Sequence, residues 1–257
     1  MNKILFALFL LTACSIETKK VSNSVVENFN PKPLKISKDD SFFWGISTYK
    51  YPDEYDVYGL DLFDSKDSDI LKLKSMGKKL ICYMSAHYEQ WREDAKDFPM
   101  DLLKGRLGGW AGEQVIDVRQ WDKIKPIFVK RIKKCRDKGF DYVEFDNTDQ
   151  RVSGVTHEDI VIHVRRLAKI AHSLDMGVMQ KNMSEHTNEL SNYLDGAIVE
   201  SCNEYNECDN FKVYSDKNMP VFMVEYKKSM CKVKDFGSTY LAPSDRILDG
   251  DRWLKCN

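Results

Sequence analysis

Neither sign of charge dominates this sequence: 39 Lys and Arg stand against 40 Asp and Glu, a formal net charge of -1. Nucleic-acid-binding domains carry a basic face. Without such a surplus, and without RNP, zinc-finger or helix-turn-helix spacing, no nucleic-acid partner is expected. Histidine is scarce. The five present (His87, His157, His163, His172 and His186) fall into no His-Glu-x-x-His or His-x-His pattern. "THEDIVIH" misses the zincin spacing by two residues. A metal hydrolase wants histidines beside its carboxylates, so no metal or cofactor is expected. No Gly-x-Ser-x-Gly elbow or Walker loop occurs either. The apolar run at residues 4–11 is too short to span a bilayer. No internal repeat of fixed period shows.

What is there begins with an export signal. In "MNKILFALFLLTAC", Lys3, the apolar run and the small residues after it form the n-, h- and c-regions of a signal peptide. "LTAC", residues 11–14, resembles a bacterial lipobox, in which the cysteine is lipidated and becomes the new N-terminus. Ser15 follows rather than Asp, which by the same resemblance implies outer-membrane sorting. Residues 1–13 are expected to be signal peptide. Residues 14–38 are expected to be lipidated Cys14 and a flexible polar tether, and 39–257 the folded domain. Acyl chains then hold the protein to a membrane without a transmembrane helix.

Seven cysteines occur. With Cys14 lipidated, six remain, an even number in an exported chain. Cys202 and Cys208 lie close together, and Cys231 and Cys256 share the tail. Those are the two expected disulfides. Cys82 in an apolar strand pattern and Cys135 in a helix read as buried thiols. A zinc site at Cys202 and Cys208 lacks Cys-x-x-Cys spacing.

From residue 41 onward, strand-like and helix-like segments alternate. Eight strand candidates read at 42–48, 56–63, 78–86, 114–119, 141–147, 177–182, 196–201 and 220–226. Helices are expected over 68–77, 121–138, 156–174, 184–194 and about 204–217. Thr156 and Asp159 are spaced as a capping box, and Ser184 as an N-cap. Short, nearly continuous apolar strands separated by helices are those of a buried parallel sheet. Eight of them in one chain of this length fit an α/β fold of the (β/α)8 barrel class, in a single domain.

"DYVEFDN", residues 141–147, departs from that apolar rule. In an extended chain Glu144 and Asp146 share one face, while Val143 and Phe145 share the other. The other strand candidates also end in polar residues: Asp61, Tyr83, Lys181 and Asn182, Glu200, Glu225 and Tyr226. The C-terminal ends of barrel strands meet at one mouth, where barrel enzymes work. Two opposed carboxylates at such a mouth are the minimum for glycoside hydrolysis. Mutual repulsion and burial separate their pKa values, so one is protonated while the other is ionised. Trp44, Tyr49, Tyr83, Trp91 and Trp110 offer flat apolar surfaces to sugar rings, and an acidic mouth attracts a cationic substrate.

These residues resemble the endo-α-1,4-polygalactosaminidase family, glycoside hydrolase family 114, from about residue 43 to 226. "DVYGLDLFD", "KKLICYMSAHYEQWRED", "GWAGEQVIDVR", "GFDYVEFDNTD", "MQKN", "VESCNEYNEC" and "VFMVEY" follow that family's motifs in order. The resemblance implies a (β/α)8 fold, an amino-sugar polysaccharide as substrate, and Asp146 and Glu200 as the catalytic pair. It implies Asp146 as nucleophile and Glu200 as acid/base, with the reverse open. Glu144 and Asn147 would support Asp146 or hold a sugar hydroxyl. Asp61, Tyr83, Lys181, Asn182, Glu225, Tyr226, Trp44 and Trp91 would line the subsites. Val199 and Ser201 stand where the family has Asn and Gln, Phe145 where Pro is frequent, and His87 where Gly is common. Two readings therefore stand at this point: an endo-acting, retaining glycosidase, and a non-catalytic glycan-binding lipoprotein of the same fold. The oligomeric state is left open.

Overall fold

The computed structural model describes residues 33–48 and 50–257. Cys14 and Tyr49 lie outside the described residues. In chain order the elements are β1 (Phe42–Trp44), β2 (Val57–Asp61), α1 (Asp67–Ser75), β3 (Lys79–Ser85), β4 (Tyr88–Glu89), β5 (Leu103–Arg106) and β6 (Glu113–Ile116). There follow α2 (Trp121–Lys138), β7 (Tyr142–Asp146), α3 (His157–His172), β8 (Gly177–Lys181), α4 (Thr187–Leu190) and β9 (Gly196–Glu200). The chain ends with α5 (Cys202–Tyr205), α6 (Lys212–Asp216), β10 (Val221–Glu225), β11 (Ser238–Leu241) and β12 (Leu254–Lys255).

Eight parallel strands run in the order β1-β2-β3-β7-β8-β9-β10-β11, and β12 pairs antiparallel to β11. The order follows the sequence, as in a (β/α)8 barrel. Side chains close the seam between β11 and β1. The Tyr240 hydroxyl oxygen accepts from the Phe42 N–H at 2.8 Å, and the Trp253 indole N–H donates to the Phe42 carbonyl at 3.0 Å. The Phe42 and Phe222 rings stack inside at 4.5 Å.

The membership of the barrel differs from the sequence expectation in one strand. Residues 114–119 do not join it. β6 forms a separate antiparallel sheet with β4 and β5, and its place among the eight is taken by β11. The segment "QVIDVR" has a strand's pattern, but pattern alone does not say which sheet a strand enters.

The helix layer is uneven. Along α2 the buried residues Ile124, Ile127, Phe128, Arg131, Ile132 and Cys135 recur every three or four positions, so one stripe faces the sheet. Gly139 ends the helix in a left-handed conformation at φ 97°. α3 starts with the full capping box: Thr156 accepts from the Asp159 N–H while Asp159 accepts from the Thr156 N–H. The expected helix 184–194 is shorter, a 3-10 turn at Ser184–His186 followed by α4. Its N-cap position is Met183, not Ser184, which caps nothing there. The expected helix 204–217 is split into α5 and α6, because Asn206 adopts a left-handed φ of 57°.

Three disulfides join all six described cysteines. Cys202–Cys208 and Cys231–Cys256 are the two expected. Cys82 and Cys135 are a correction: they are bonded to each other, fixing α2 to β3, rather than being free thiols. Part of the expected tether is also docked. The Leu34 N–H donates to Asp141 at 2.7 Å, and Ile36 is buried. Among the described residues no helix is long and apolar enough to cross a membrane.

Candidate active site

Asp146 ends β7, Lys181 ends β8 and Glu200 ends β9, three neighbouring parallel strands. Alternation along β7 sends Phe145 outward, where its ring meets Phe128 of α2 at 6.3 Å. Glu144 and Asp146 therefore point inward. The Lys181 ammonium lies 2.6 Å from Asp146 Oδ1, 2.9 Å from Glu200 Oε2 and 3.9 Å from Glu144 Oε1. Two contacts on one nitrogen limit the separation of those Asp146 and Glu200 oxygens to about 5.5 Å. The two carboxylates keep 18% and 17% of their side-chain surface exposed, whereas Lys181 is 2% exposed.

Each carboxylate has its own holders. Asp146 accepts from the Tyr83 hydroxyl at 2.6 Å, from Lys181, and from the Asn147 N–H at 2.8 Å. Asn147 reaches that geometry through a left-handed φ of 62°, which asparagine tolerates. Glu200 accepts from the Tyr226 hydroxyl, and its N–H donates to Asn182 Oδ1 at 2.9 Å. Arg246, from the C-terminal tail, stands 3.7 Å from Glu200 with its guanidinium over the Tyr226 ring. No local pattern marks Arg246 in the sequence; only the fold brings the tail over the mouth.

Charge follows from this packing. Burial pushes the Asp146 carboxyl up, but Lys181 and the hydrogen bonds from Lys181, Tyr83 and Asn147 outweigh it, holding the group below its usual range. Glu200 is also held low: burial and the Asp146 charge oppose ionisation, and Lys181 and Tyr226 prevail. Burial alone would discharge Lys181, yet three carboxyl neighbours raise its pKa well above the ordinary value. Burial lifts Glu144 to about 8, with Lys181 only partly countering it. It is fully buried, and neither oxygen has a hydrogen-bond partner. Glu144 is therefore a neutral acid beneath the pair at neutral pH.

Several expected subsite residues have other tasks. Glu144 has no surface for a sugar. Glu225 is also fully buried and accepts from the Asn203 N–H at 2.7 Å, steadying α5. Asp61 is paired with Arg92 at 2.7 Å and accepts from the Phe63 and Asp64 N–H groups. Its oxygens are thereby committed, and the Arg92 partner, which also binds Glu89 at 3.0 Å, was not among the expected site residues. Trp44 is 2% exposed and forms floor, with Lys181 over its ring at 5.0 Å. Gly59 permits this, because a Cβ there would meet the Trp44 ring at 2.5 Å. Tyr83, Asn147, Lys181, Asn182 and Tyr226 do converge on the pair. Trp91 is half exposed on the loop after β4, and Trp110 is more exposed still, on the segment between β5 and β6. That small sheet adjoins the mouth: the Asp146 charge is felt at Glu113 of β6.

The departures from the family pattern are buried. Val199 is fully buried and Ser201 nearly so. Phe145 faces the helices. His87 ties the loop after β7 to β6, its Nε2 donating to the Gln150 carbonyl at 3.2 Å and its Nδ1 accepting from the Ile116 N–H at 3.3 Å. Burial lowers its pKa to about 4, so it is neutral. A cleft of about 630 Å³ on the outside of the barrel, against α3 and residues 191–195, includes none of the carboxylates around Lys181.

The fold has counterparts among known proteins. Among solved structures, Ega3 of Aspergillus fumigatus, crystallised in complex with galactosamine, superimposes with a TM-score of 0.81 at 26% identity, covering 89% of this chain and 100% of that one. The glycoside hydrolase domain of PelA from Pseudomonas aeruginosa gives a TM-score of 0.62 at 15% identity, over 81% of this chain and 96% of that one, a likeness of fold. No curated protein sequence matches. The profile of glycoside-hydrolase family GH114 matches residues 25–250, nearly the whole chain, and the protein with its paired acids at the barrel mouth belongs to that glycoside hydrolase family.

Proposed function

We propose that this protein cleaves internal α-1,4 linkages of a galactosamine-containing polysaccharide, with retention of configuration, using Asp146 and Glu200. The observation that carries the pairing is the shared Lys181 contact, which limits the facing oxygens to about 5.5 Å. Retaining glycosidases hold their carboxyls about 5–5.5 Å apart and inverting ones about 6.5–9.5 Å. Asp146 is the nucleophile because three donors hold it ionised. In the first step an Asp146 oxygen bonds to the anomeric carbon as the glycosidic bond breaks, and the Glu200 proton passes to the leaving oxygen. In the second, water returns a proton to Glu200 while its oxygen displaces Asp146 from that carbon.

The substrate class rests on likeness and on exposed aromatic faces. Ega3 was crystallised with galactosamine. Trp91 and Trp110 give neighbouring sugar rings exposed faces. The departures at Val199 and Ser201 do not favour a purely binding role, since both side chains are buried and neither offers a surface to a sugar.

Mass spectrometry of products from partly deacetylated α-1,4-galactosaminogalactan tests the reading. A ladder of intermediate oligomers whose first-formed anomer is α by proton NMR is expected. Monomer alone, a first-formed β anomer, or an untouched polymer that still binds would each overturn a stated part of it. In the same reading Cys14 carries the acyl chains that hold the protein to the outer membrane, as "LTAC" behind an apolar run supports. Cys14→Ser should move the protein from the membrane fraction to the soluble fraction, and retention in the membrane would refute the anchor.

A further inference from the structure

His157, Glu185 and His186 meet on the surface at the same end of the barrel as Asp146 and Lys181. His157 opens α3, and the other two belong to the 3-10 turn that follows β8. The sequence shows no histidine pattern here because His157 and His186 lie 29 positions apart. Consecutive left-handed residues, Asn182 at φ 50° and Met183 at φ 59°, reverse the chain after β8. The His186 N–H then donates to the Met183 carbonyl at 2.9 Å, and the Ser184 hydroxyl donates to Glu207 at 2.7 Å. The turn is therefore held before any ligand arrives.

His157 Nδ1 lies 2.9 Å from His186 Nε2, and Glu185 Oε1 lies 3.7 Å from each of those nitrogens. A tetrahedral ion with ligand bonds of about 2.0–2.1 Å keeps its donor atoms roughly 3.3 Å apart. The three observed distances bracket that value, so the atoms outline one face of a coordination tetrahedron. Side-chain exposures of 51%, 56% and 19% for His157, Glu185 and His186 leave the fourth corner open to water. Two imidazoles with one carboxylate suit zinc and its transition-metal neighbours, not magnesium or calcium, which take oxygen ligands. The other close cluster, Cys202, Cys208 and Glu225, offers no thiolate because its cysteines are bonded to each other.

We propose that His157, Glu185 and His186 form a zinc-class divalent metal site that staples the start of α3 to the turn after β8. β8 ends in Lys181, and Asn182 just beyond it holds the Glu200 N–H. The staple thus fixes a turn next to the residues that hold the carboxylate pair. It takes no part in the bond-breaking step.

Titration calorimetry of the full chain, stripped with chelator and titrated with zinc chloride near neutral pH, tests the site. One ion per chain with a dissociation constant of about 1–10 μM is expected, since both imidazoles must be neutral to bind. At about a hundredfold excess over that constant, the unfolding midpoint should rise by about 5–10 °C. His157→Ala and His186→Ala should each weaken binding at least about tenfold, and Glu185→Gln should weaken it less. His172→Ala, which removes the separate His172–Asp195 pair, should leave it unchanged. In the unsubstituted protein, zinc should shift the imidazole proton resonances of His157 and His186. No binding below about 1 mM, undiminished binding in His157→Ala and His186→Ala, or zinc shifts confined to other histidines would overturn the proposal.

Discussion

At the scale of single residues, one stretch shows how environment assigns work to identical groups. Asp141, Glu144 and Asp146 lie within six residues of β7 and its entry. Asp141 is spent on structure: both oxygens accept from Lys74 at 2.7 Å, and the Leu34 and Leu80 N–H groups complete its bonding. Glu144 is buried without a hydrogen-bond partner, 3.9 Å from Lys181, and its pKa is raised to about 8. Asp146 is ionised and open to the mouth. Glu144 has a testable cost. Its folded pKa of about 8 exceeds the ordinary 4.5, so the folded protein holds that proton longer than the unfolded chain. Its contribution to stability is complete at acid pH and is lost as pH rises from about 4.5 to about 8. Glu144→Gln has no proton to lose. Urea midpoints at acid and alkaline pH should fall less in the variant than in the parent, and parallel profiles would contradict the assignment. Lys181 makes a second prediction. Both carboxyls sit below their usual range, so kcat/KM, which needs one of them protonated, should peak in acid and decline toward neutrality. Lys181→Met removes the shared cation, and both limbs should move alkaline by about one to two pH units, with a lower rate. A lower rate with unmoved limbs would mean that Lys181 only shapes the cleft.

At the scale of elements, the strands that carry the acids were legible because they are short, apolar and end in polar residues. β2, β3, β7, β8, β9 and β10 all stand within the expected ranges. The rest depended on information that is not local. β6 has the pattern of a barrel strand but pairs with β4 and β5. β11, only four residues, has little periodicity to read and is recognised by its partner β10. The Cys82–Cys135 bond joins residues 53 apart, a choice of partner that spacing does not encode. Arg246 and Arg92 enter the site through loops and through pairing with acids that looked free. The seam between β11 and β1 is a further element-scale device, since side chains rather than a strand ladder satisfy the Phe42 main chain. Tyr240→Phe would leave the buried Phe42 N–H without an acceptor. The expected loss is about 1–3 kcal/mol in urea unfolding of the full chain, and a loss of only a few tenths would show that the seam is held by packing alone.

At the scale of the whole molecule, an eight-stranded parallel barrel gathers the ends of β7, β8 and β9 at one mouth, and three disulfides secure a thin outer layer. Cys231–Cys256 ties the tail that carries Trp253, the seam donor, and Arg246, the cation beside Glu200. Stability of the barrel and completeness of the mouth thus share one covalent link. The central claim is that the Asp146 and Glu200 carboxylates act together on a glycosidic bond. Reducing-end release from partly deacetylated α-1,4-galactosaminogalactan, compared between the protein and its Asp146→Asn and Glu200→Gln variants, tests it most directly. Release by the parent and a fall of about 10³–10⁵ in each variant, with circular dichroism unchanged, is the predicted result. Release that persists in either folded variant would contradict the pairing.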